Sequence, residues 1–533
     1  MGEADFDAIV VGAGLAGMYM LHRLRGLGLA ARAYDSAGDV GGTWYWNRYP
    51  GARCDVESLN YSYSFDEALQ QDWGWTERFA GQPEILAYAG HVADRFDLRR
   101  DIQFSTLVTA AHFDDAAGVW RVETDRGDRA SARWLIMASG CLSLPRTPDF
   151  AGLADFKGRT FHTGLWPHEP VSFAGERVGI IGTGASGIQC VPIVAAEADH
   201  LTVFQRTASF SIPARNGPMD AAHEAGIKGR YAEYRREALE TGSGVVRDKV
   251  VADSVLELDD DAREAAFELY WAKGGTDLLK AFADIGRNQA SNDLAADFVR
   301  RKIRAKVNDP ALADLLAGQT DPIGTRRVSL DTGYFETFNR DNVALVNLKA
   351  EPIERFTAGG IRTAAGEYRL DSVIFATGYD AITGPLLDID IRGAGGLALR
   401  DKWREGPRTY LGLMTAGFPN LFTITGPGSP SVLTNMIVSI EQHVDLIADL
   451  LRHAEAANAT RIEAETDAED NWVAHVNEVA QGTLHVAANS WYRGVNVPGK
   501  PAIFMPYVGG FHTYRRKCLA IAEAGYPGFR LSA

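Results

Sequence analysis

Ala8-Ile9-Val10-Val11-Gly12-Ala13-Gly14-Leu15-Ala16-Gly17, with helical periodicity continuing over residues 18–27, is the stretch whose reading decides the fold. The short continuous apolar run reads as a buried parallel strand. Between that strand and the helix, the Gly-x-Gly-x-x-Gly run acquires a physical meaning that the bare pattern lacks. Gly12 permits the tight turn, Gly14 lets a pyrophosphate approach the backbone, and Gly17 lets helix pack on strand. The helix N-terminus adds amide donors and the positive end of a dipole. A second strand over 31–34 ends at Asp35, an acid placed to accept hydrogen bonds from ribose hydroxyls and to repel a 2′-phosphate. This site should prefer FAD or NAD to NADP.

The arrangement recurs. A strand over 177–181 leads into Gly182-Thr183-Gly184-Ala185-Ser186-Gly187, and the next strand, over 201–204, ends in Gln205-Arg206-Thr207. Arg206 stands where the first site has its acid. A guanidinium pairs bidentately with a 2′-phosphate, so the second loop suits NADPH and the first FAD. The duplication predicts an α/β fold of two Rossmann-like dinucleotide-binding domains, FAD and NADP, with a helical insert. The expected division is an FAD domain over 1–145 and 381–533, an NADP domain over 146–215 and 323–380, and the insert over 216–322.

Other segments carry chemistry around these loops. Gly41-Gly42-Thr43-Trp44-Tyr45-Trp46-Asn47-Arg48-Tyr49-Pro50-Gly51 reads as a close-approaching aromatic wall for a flat cofactor. Arg53 and Asp55 just beyond it are charges in apolar surroundings, so each needs a partner. The insert is rich in helix formers and shows no chemistry of its own; it should cover the cleft. Arg326-Arg327 follows it in a Pro- and Gly-containing loop, where one arginine could reach the phosphate beside Arg206 and the other the flavin. The polar, tryptophan-bearing run 489–500 suits a mobile lid. Phe156-Lys157-Gly158-Arg159-Thr160-Phe161-His162-Thr163-Gly164-Leu165-Trp166-Pro167 connects the two nucleotide sites.

The bulk properties exclude several classes. At 533 residues, 46% hydrophobic and 23% charged, the chain is that of a multidomain globular protein. A formal net charge of −15 argues against nucleic acid or an anionic membrane as main partner. Cys54, Cys141, Cys190 and Cys518 are scattered, which excludes a disulfide reductase, points to no metal, and suits a reducing cytoplasm. The polar N-terminus reads as no signal peptide, and no apolar run reaches the roughly 18 residues that would span a bilayer.

Together these residues resemble the type I, single-chain, FAD- and NADPH-dependent Baeyer–Villiger monooxygenases. The family fingerprint Phe-x-Gly-x-x-x-His-x-x-x-Trp-Pro is matched by Phe156, Gly158, His162, Trp166 and Pro167, and the aromatic run after Gly41 is typical of the family. The Trp-Pro ending separates the chain from N- and S-oxygenating relatives. A non-catalytic FAD/NADP sensor is the alternative from another class. By the resemblance, Arg327 is the catalytic cation that stabilises a C4a-peroxyflavin and Asp55 is its partner. FAD contacts fall to Gly12, Gly14, Gly17, Asp35, Gly42, Thr43, Trp44, Trp46, Asp55, Tyr61, Val108 and Met436. NADP contacts fall to Arg53, Thr183, Gly184, Ala185, Ser186, Gly187, Gln189, Arg206, Thr207, Arg326, Arg327 and Trp491, with NADP+ retained through the cycle and O2 as co-substrate. Cys141, Leu142, Ser431, Val432 and Leu433 should line the pocket for a small hydrophobic ketone. Asp35 departs from the family's commoner glutamate. His162 is assigned a structural or hinge role, because the chemistry needs a cation and no base from this segment. The implied protein is a monomer or a weak homo-oligomer that turns cyclic, long-chain or aryl ketones into esters or lactones.

Overall fold

A computed structural model of the chain describes residues 4–146 and 148–533. The strand Phe6–Val11 lies in the middle of an eight-stranded sheet. It pairs in parallel with Ala31–Tyr34 on one side and with Arg129–Met137 on the other. Beyond Arg129–Met137 the sheet turns antiparallel through Val119–Thr124 and Val108–Asp114. Two strands from the far end of the chain complete it: Asp390–Arg392 beside Val108–Asp114, and Leu421–Thr423 beside Arg129–Met137. The central strands are buried on both faces, which is why their sequences run apolar without alternation.

The second sheet is wholly parallel, in the order Val343–Asn347, His200–Gln205, Arg177–Ile181, Ser372–Phe375, Arg159–His162. Part of the stretch read as a connector is therefore a strand. Residues 159–162 form the sheet's edge, with His162 in register with Phe375. A three-stranded antiparallel meander, Ile353–Thr357, Gly360–Thr363 and Gly366–Arg369, packs against this sheet through Phe356 and Ile361.

Between the sheets' strands lie the helices Ala221–Lys228, Tyr231–Leu239, Asp260–Lys273, Gln289–Arg304 and Pro310–Leu316. Asp220, Asp259, Asn288 and Asp309 cap four of them with side-chain oxygens, satisfying amides that the first turn leaves free. The insert divides its packing. Tyr231 and Tyr234 join the first domain's core, and Tyr234 accepts a 2.8 Å bond from Asn60 Nδ2. Phe267, Trp271 and Phe298 belong to the second domain's core. Among the described residues no helix is long and apolar enough to cross a membrane.

The long helix Met436–Ala456 runs along Leu15–Gly26 and carries a buried acid, Glu441. Its carboxylate accepts from Ser64 N at 2.6 Å, Ser64 Oγ at 2.8 Å and Phe65 N at 3.1 Å. Burial still dominates, and the carboxyl is pushed up to about 7 from an ordinary 4.5. The folded protein thus holds a proton that the unfolded chain has released, and this group's contribution to stability falls as pH rises from about 4.5 through about 7. Glu441→Gln should flatten the decline in thermal unfolding temperature across that window. Parallel pH profiles for the two proteins would refute the assignment.

Candidate active site

Both glycine loops open onto one cavity of about 1540 Å³ at the carboxyl ends of the two sheets, the place where open α/β sheets bind ligands. Single-ligand pockets run to roughly 300–1,000 Å³, so this one has room for more than one occupant. Gly12 and Gly182 adopt φ of +108° and +112°, and a Cβ on either would press into the carbonyl of Ala138 or Ala376. Gly17 and Gly187 lie beneath the loops, off the cavity wall. A Cβ there would lie 1.8 Å from Gly12 O or 2.2 Å from Gly182 O. Their contribution is the close helix–strand contact, and any pyrophosphate is held by the loop above them.

On the first-domain side the wall includes Gly12, Gly14, Asp35, Gly42, Thr43, Trp44, Trp46, Tyr61, Val108 and Met436. Trp44 Nε1 donates to Tyr61 Oη at 3.1 Å, so the indole and phenol brace each other at the rim. Asp35 is buried and turned toward the backbone. Its oxygens accept from Ala13 N at 2.5 Å and Ala37 N at 2.7 Å, closing the glycine loop onto the second strand. Burial raises its pKa against the pull of those two bonds.

On the other side lie Thr183, Gly184, Ala185, Ser186, Gln189, Arg206 and Thr207. Gln189 also ties the domains together: it accepts from Tyr49 Oη at 2.7 Å and donates to Arg53 O at 3.1 Å. Arg53 reaches the wall, and one terminal nitrogen of its guanidinium donates to Glu77 Oε2 at 2.7 Å and to Phe79 O at 2.8 Å. Arg53 thus has the partner that its apolar surroundings call for.

Arg327 Nε lies 2.7 Å from Asp55 Oδ2, joining the loop after the insert to the first domain's aromatic loop. The guanidinium is enclosed by protein yet 36% of the side-chain surface is accessible, because it faces the cavity. The neighbouring Asp55 carboxylate raises the arginine's pKa further, outweighing burial. Asp55 Oδ1 is buried without a partner. Arg326 instead pairs with Asp321 at 2.6 Å, and burial together with nearby Arg206 lowers its pKa.

Residues 489–500, expected to form a lid, border the cavity through Asn489, Trp491, Val495 and Asn496. Trp491 lines it from the turn Trp491–Arg493, and Tyr492 is buried against Cys141 and Val432. Asn496 Nδ2 donates to Tyr379 O at 2.8 Å, and Lys500 Nζ reaches Asp380 Oδ1 at 2.5 Å. Cys141, Leu142 and Val432 line the cavity as expected, but Ser431 and Leu433 do not. The segment Ser431–Leu433 is a single 3-10 turn. Successive side chains on such a turn diverge by about a third of a revolution, so only Val432 faces inward. Thr434 reaches the wall beyond it.

None of Phe156, Gly158, His162, Trp166 or Pro167 lines the cavity. Trp166 stacks on Phe161 at 5.1 Å in the core. His162 Nδ1 accepts from Gly164 N at 3.0 Å, so its hydrogen sits on Nε2, which faces Thr377 Oγ1 at 3.3 Å. Burial lowers its pKa. Both ring nitrogens serve the junction between the edge strand and the loop after Ser372–Phe375. Gly164 does reach the wall.

Sequence reasoning gave no role to Tyr379 or Asp321, both on the wall, and read Asn47 only as part of the aromatic loop. Tyr379 donates to Asn47 Oδ1 across the domain junction. The Ala-Thr-Gly turn before it was a usable signal. For Asp321, nothing in the sequence told a paired carboxylate from a solvated one.

A family model described as flavin-binding monooxygenase-like matches residues 7–240. The chain is 44% identical to a Baeyer–Villiger monooxygenase of Pseudooceanicola batsensis, over 98% of this chain and 96% of that protein. It is also 44% identical to a methyl acetate-forming acetone monooxygenase of a Gordonia species, over the whole of both chains (100% and 100%). Among solved structures, an oxidised steroid monooxygenase bound to NADP superposes with a TM-score of 0.95 at 50% identity, covering 99% of each chain. With two glycine loops facing one cavity and relatives alike over their full length, the chain belongs to the Baeyer–Villiger monooxygenases, within the flavin-binding monooxygenases.

Proposed function

We propose that the protein inserts one atom of O2 beside the carbonyl of a hydrophobic ketone, giving an ester or lactone. NADPH supplies two electrons, and the second oxygen atom leaves as water. The observation that carries this reading is the Arg327–Asp55 pair, which holds a permanent cation at the wall shared by both nucleotide loops.

The residues present fit both nucleotides. The first loop and the wall of Thr43, Trp44, Trp46 and Tyr61 would hold FAD. The second loop with Arg206, Thr207 and Arg326 would hold NADPH. When bound, these cofactors supply the hydride and the oxygen-activating ring. The chain's own task is electrostatic and steric. Arg327 uses Nε for Asp55, which leaves its terminal nitrogens to donate to an oxygen-centred negative charge in the cavity. Its raised pKa keeps it charged throughout the working pH range. Trp491 and Tyr492, held down by the Asn496 and Lys500 contacts, exclude water.

Cys141, Leu142, Val432 and Met436 form an apolar wall, and the relatives' printed activities run from acetone to steroid oxidation. The proposed substrate class is correspondingly broad: cyclic, long-chain or aryl ketones. A panel of such ketones, with ester followed by mass and NADPH by absorbance, tests the reading. NADPH oxidation that no ketone stimulates would refute it.

Arg327→Ala should cut ester formation by roughly 100-fold or more, the cost of losing one oxyanion donor, while FAD stays bound. Undiminished ester production would remove Arg327 from the mechanism. Arg206→Ala should raise KM for NADPH and leave KM for NADH in place, since only the 2′-phosphate differs. An equal rise for both would place the phosphate elsewhere.

A further inference from the structure

Asp321 sits in the loop before the paired arginines and divides its carboxylate between two segments. Oδ2 lies 2.6 Å from a terminal nitrogen of Arg326. Oδ1 accepts the backbone N–H of Asn489 at 3.3 Å, at the start of the lid that carries Trp491. Asp321, Arg326, Arg206, Asn489 and Trp491 all line the same cavity. Arg326 Nε is buried and has no partner. The carboxylate therefore occupies one part of the guanidinium and leaves donors over.

We infer that Asp321 is a positioning residue that links recognition of the NADP 2′-phosphate to closure of the lid. The inference rests on the NADPH reading of Arg206 and Arg326 given above. Two arginines side by side repel each other, and Arg206 disfavours the charge on Arg326. Asp321 offsets that repulsion and fixes the guanidinium. With one acid against two bases, the trio keeps a single net positive charge for the incoming phosphate. The same carboxylate holds Asn489 N–H, so a phosphate that draws on Arg326 changes how firmly the lid's first residue is held. Coupling of this kind is reciprocal: a lid tightened by the phosphate tightens the phosphate in return.

The test is calorimetric titration of the FAD-loaded enzyme with NADP+ and with NAD+, together with hydrogen exchange over residues 489–500. Asp321→Ala should weaken NADP+ binding about 10-fold, within the usual range of site-to-site coupling, and leave NAD+ binding unchanged. NADP+ should no longer slow exchange in the lid. Asp321→Asn, which keeps the acceptor for Asn489 and loses the charge, should weaken NADP+ less and retain the lid's protection. It also carries the test if the alanine variant does not fold, since it must then discriminate between NADP+ and NAD+ less well than the wild type. Unchanged NADP+ affinity, or an equal loss for both nucleotides, overturns the inference. Arg206→Ala separates the two levels. If it leaves NADP+ affinity intact, the NADPH reading fails. If it weakens NADP+ while the Asp321 variants do not, only the role of Asp321 fails.

Discussion

A cation held at an internal wall is the constraint around which this structure is arranged. Arg327 and Asp55 come from loops far apart in the chain, one after the insert and one in the first domain. Taking two such charges out of water costs several kcal/mol each, and their attraction repays this only when the geometry is good. The pair adds little to stability, and removing one partner would strand the other. The use we propose for it is chemical. Asp55 keeps the guanidinium charged and oriented while the opposite edge stays open to the cavity.

The topology serves that juxtaposition. The chain leaves the first sheet after Arg129–Met137, builds the second, and returns through the loop after Ser372–Phe375. Both sheets thereby turn their carboxyl ends to one space. The crossings are cross-linked: Thr377 Oγ1 bonds Arg146 O at 2.9 Å, and Tyr379 bonds Asn47. The lid's polar contacts fall on these same crossings, at Tyr379 and at Asp380 and Ala381. The segment 489–500 is thereby fastened to the same crossings that join the two sheets.

Much of this was legible in the residues. The glycine loops were, because their requirement is steric: a Cβ at Gly12, Gly17, Gly182 or Gly187 has no room. The Asp35/Arg206 contrast was legible as electrostatics. Even so, Asp35 proved to bond the backbone at Ala13 and Ala37. The resemblance implies Ser431, Val432 and Leu433 together for the pocket, but on a 3-10 turn only Val432 faces the cavity. That Arg53 needs a partner was legible, but not that Glu77 and Phe79 provide it, because they lie beyond the local motif. The fingerprint was recognisable as a pattern, yet its residues act through packing and hydrogen bonds at a sheet edge, away from the cavity.

By itself the sequence determined the two nucleotide folds, the contrast of an acid in one loop with a base in the other, and the family, because each follows from local rules: strand periodicity, the room a glycine leaves, the sign of a side chain. Tertiary structure alone decided which charges meet. Arg327 with Asp55 and Tyr379 with Asn47 are pairings across long stretches of chain, and Arg326 with Asp321 depends on how one short loop folds. Coulomb attraction and desolvation act through space. Only the folded arrangement tells a charge that is free to act from one already neutralised.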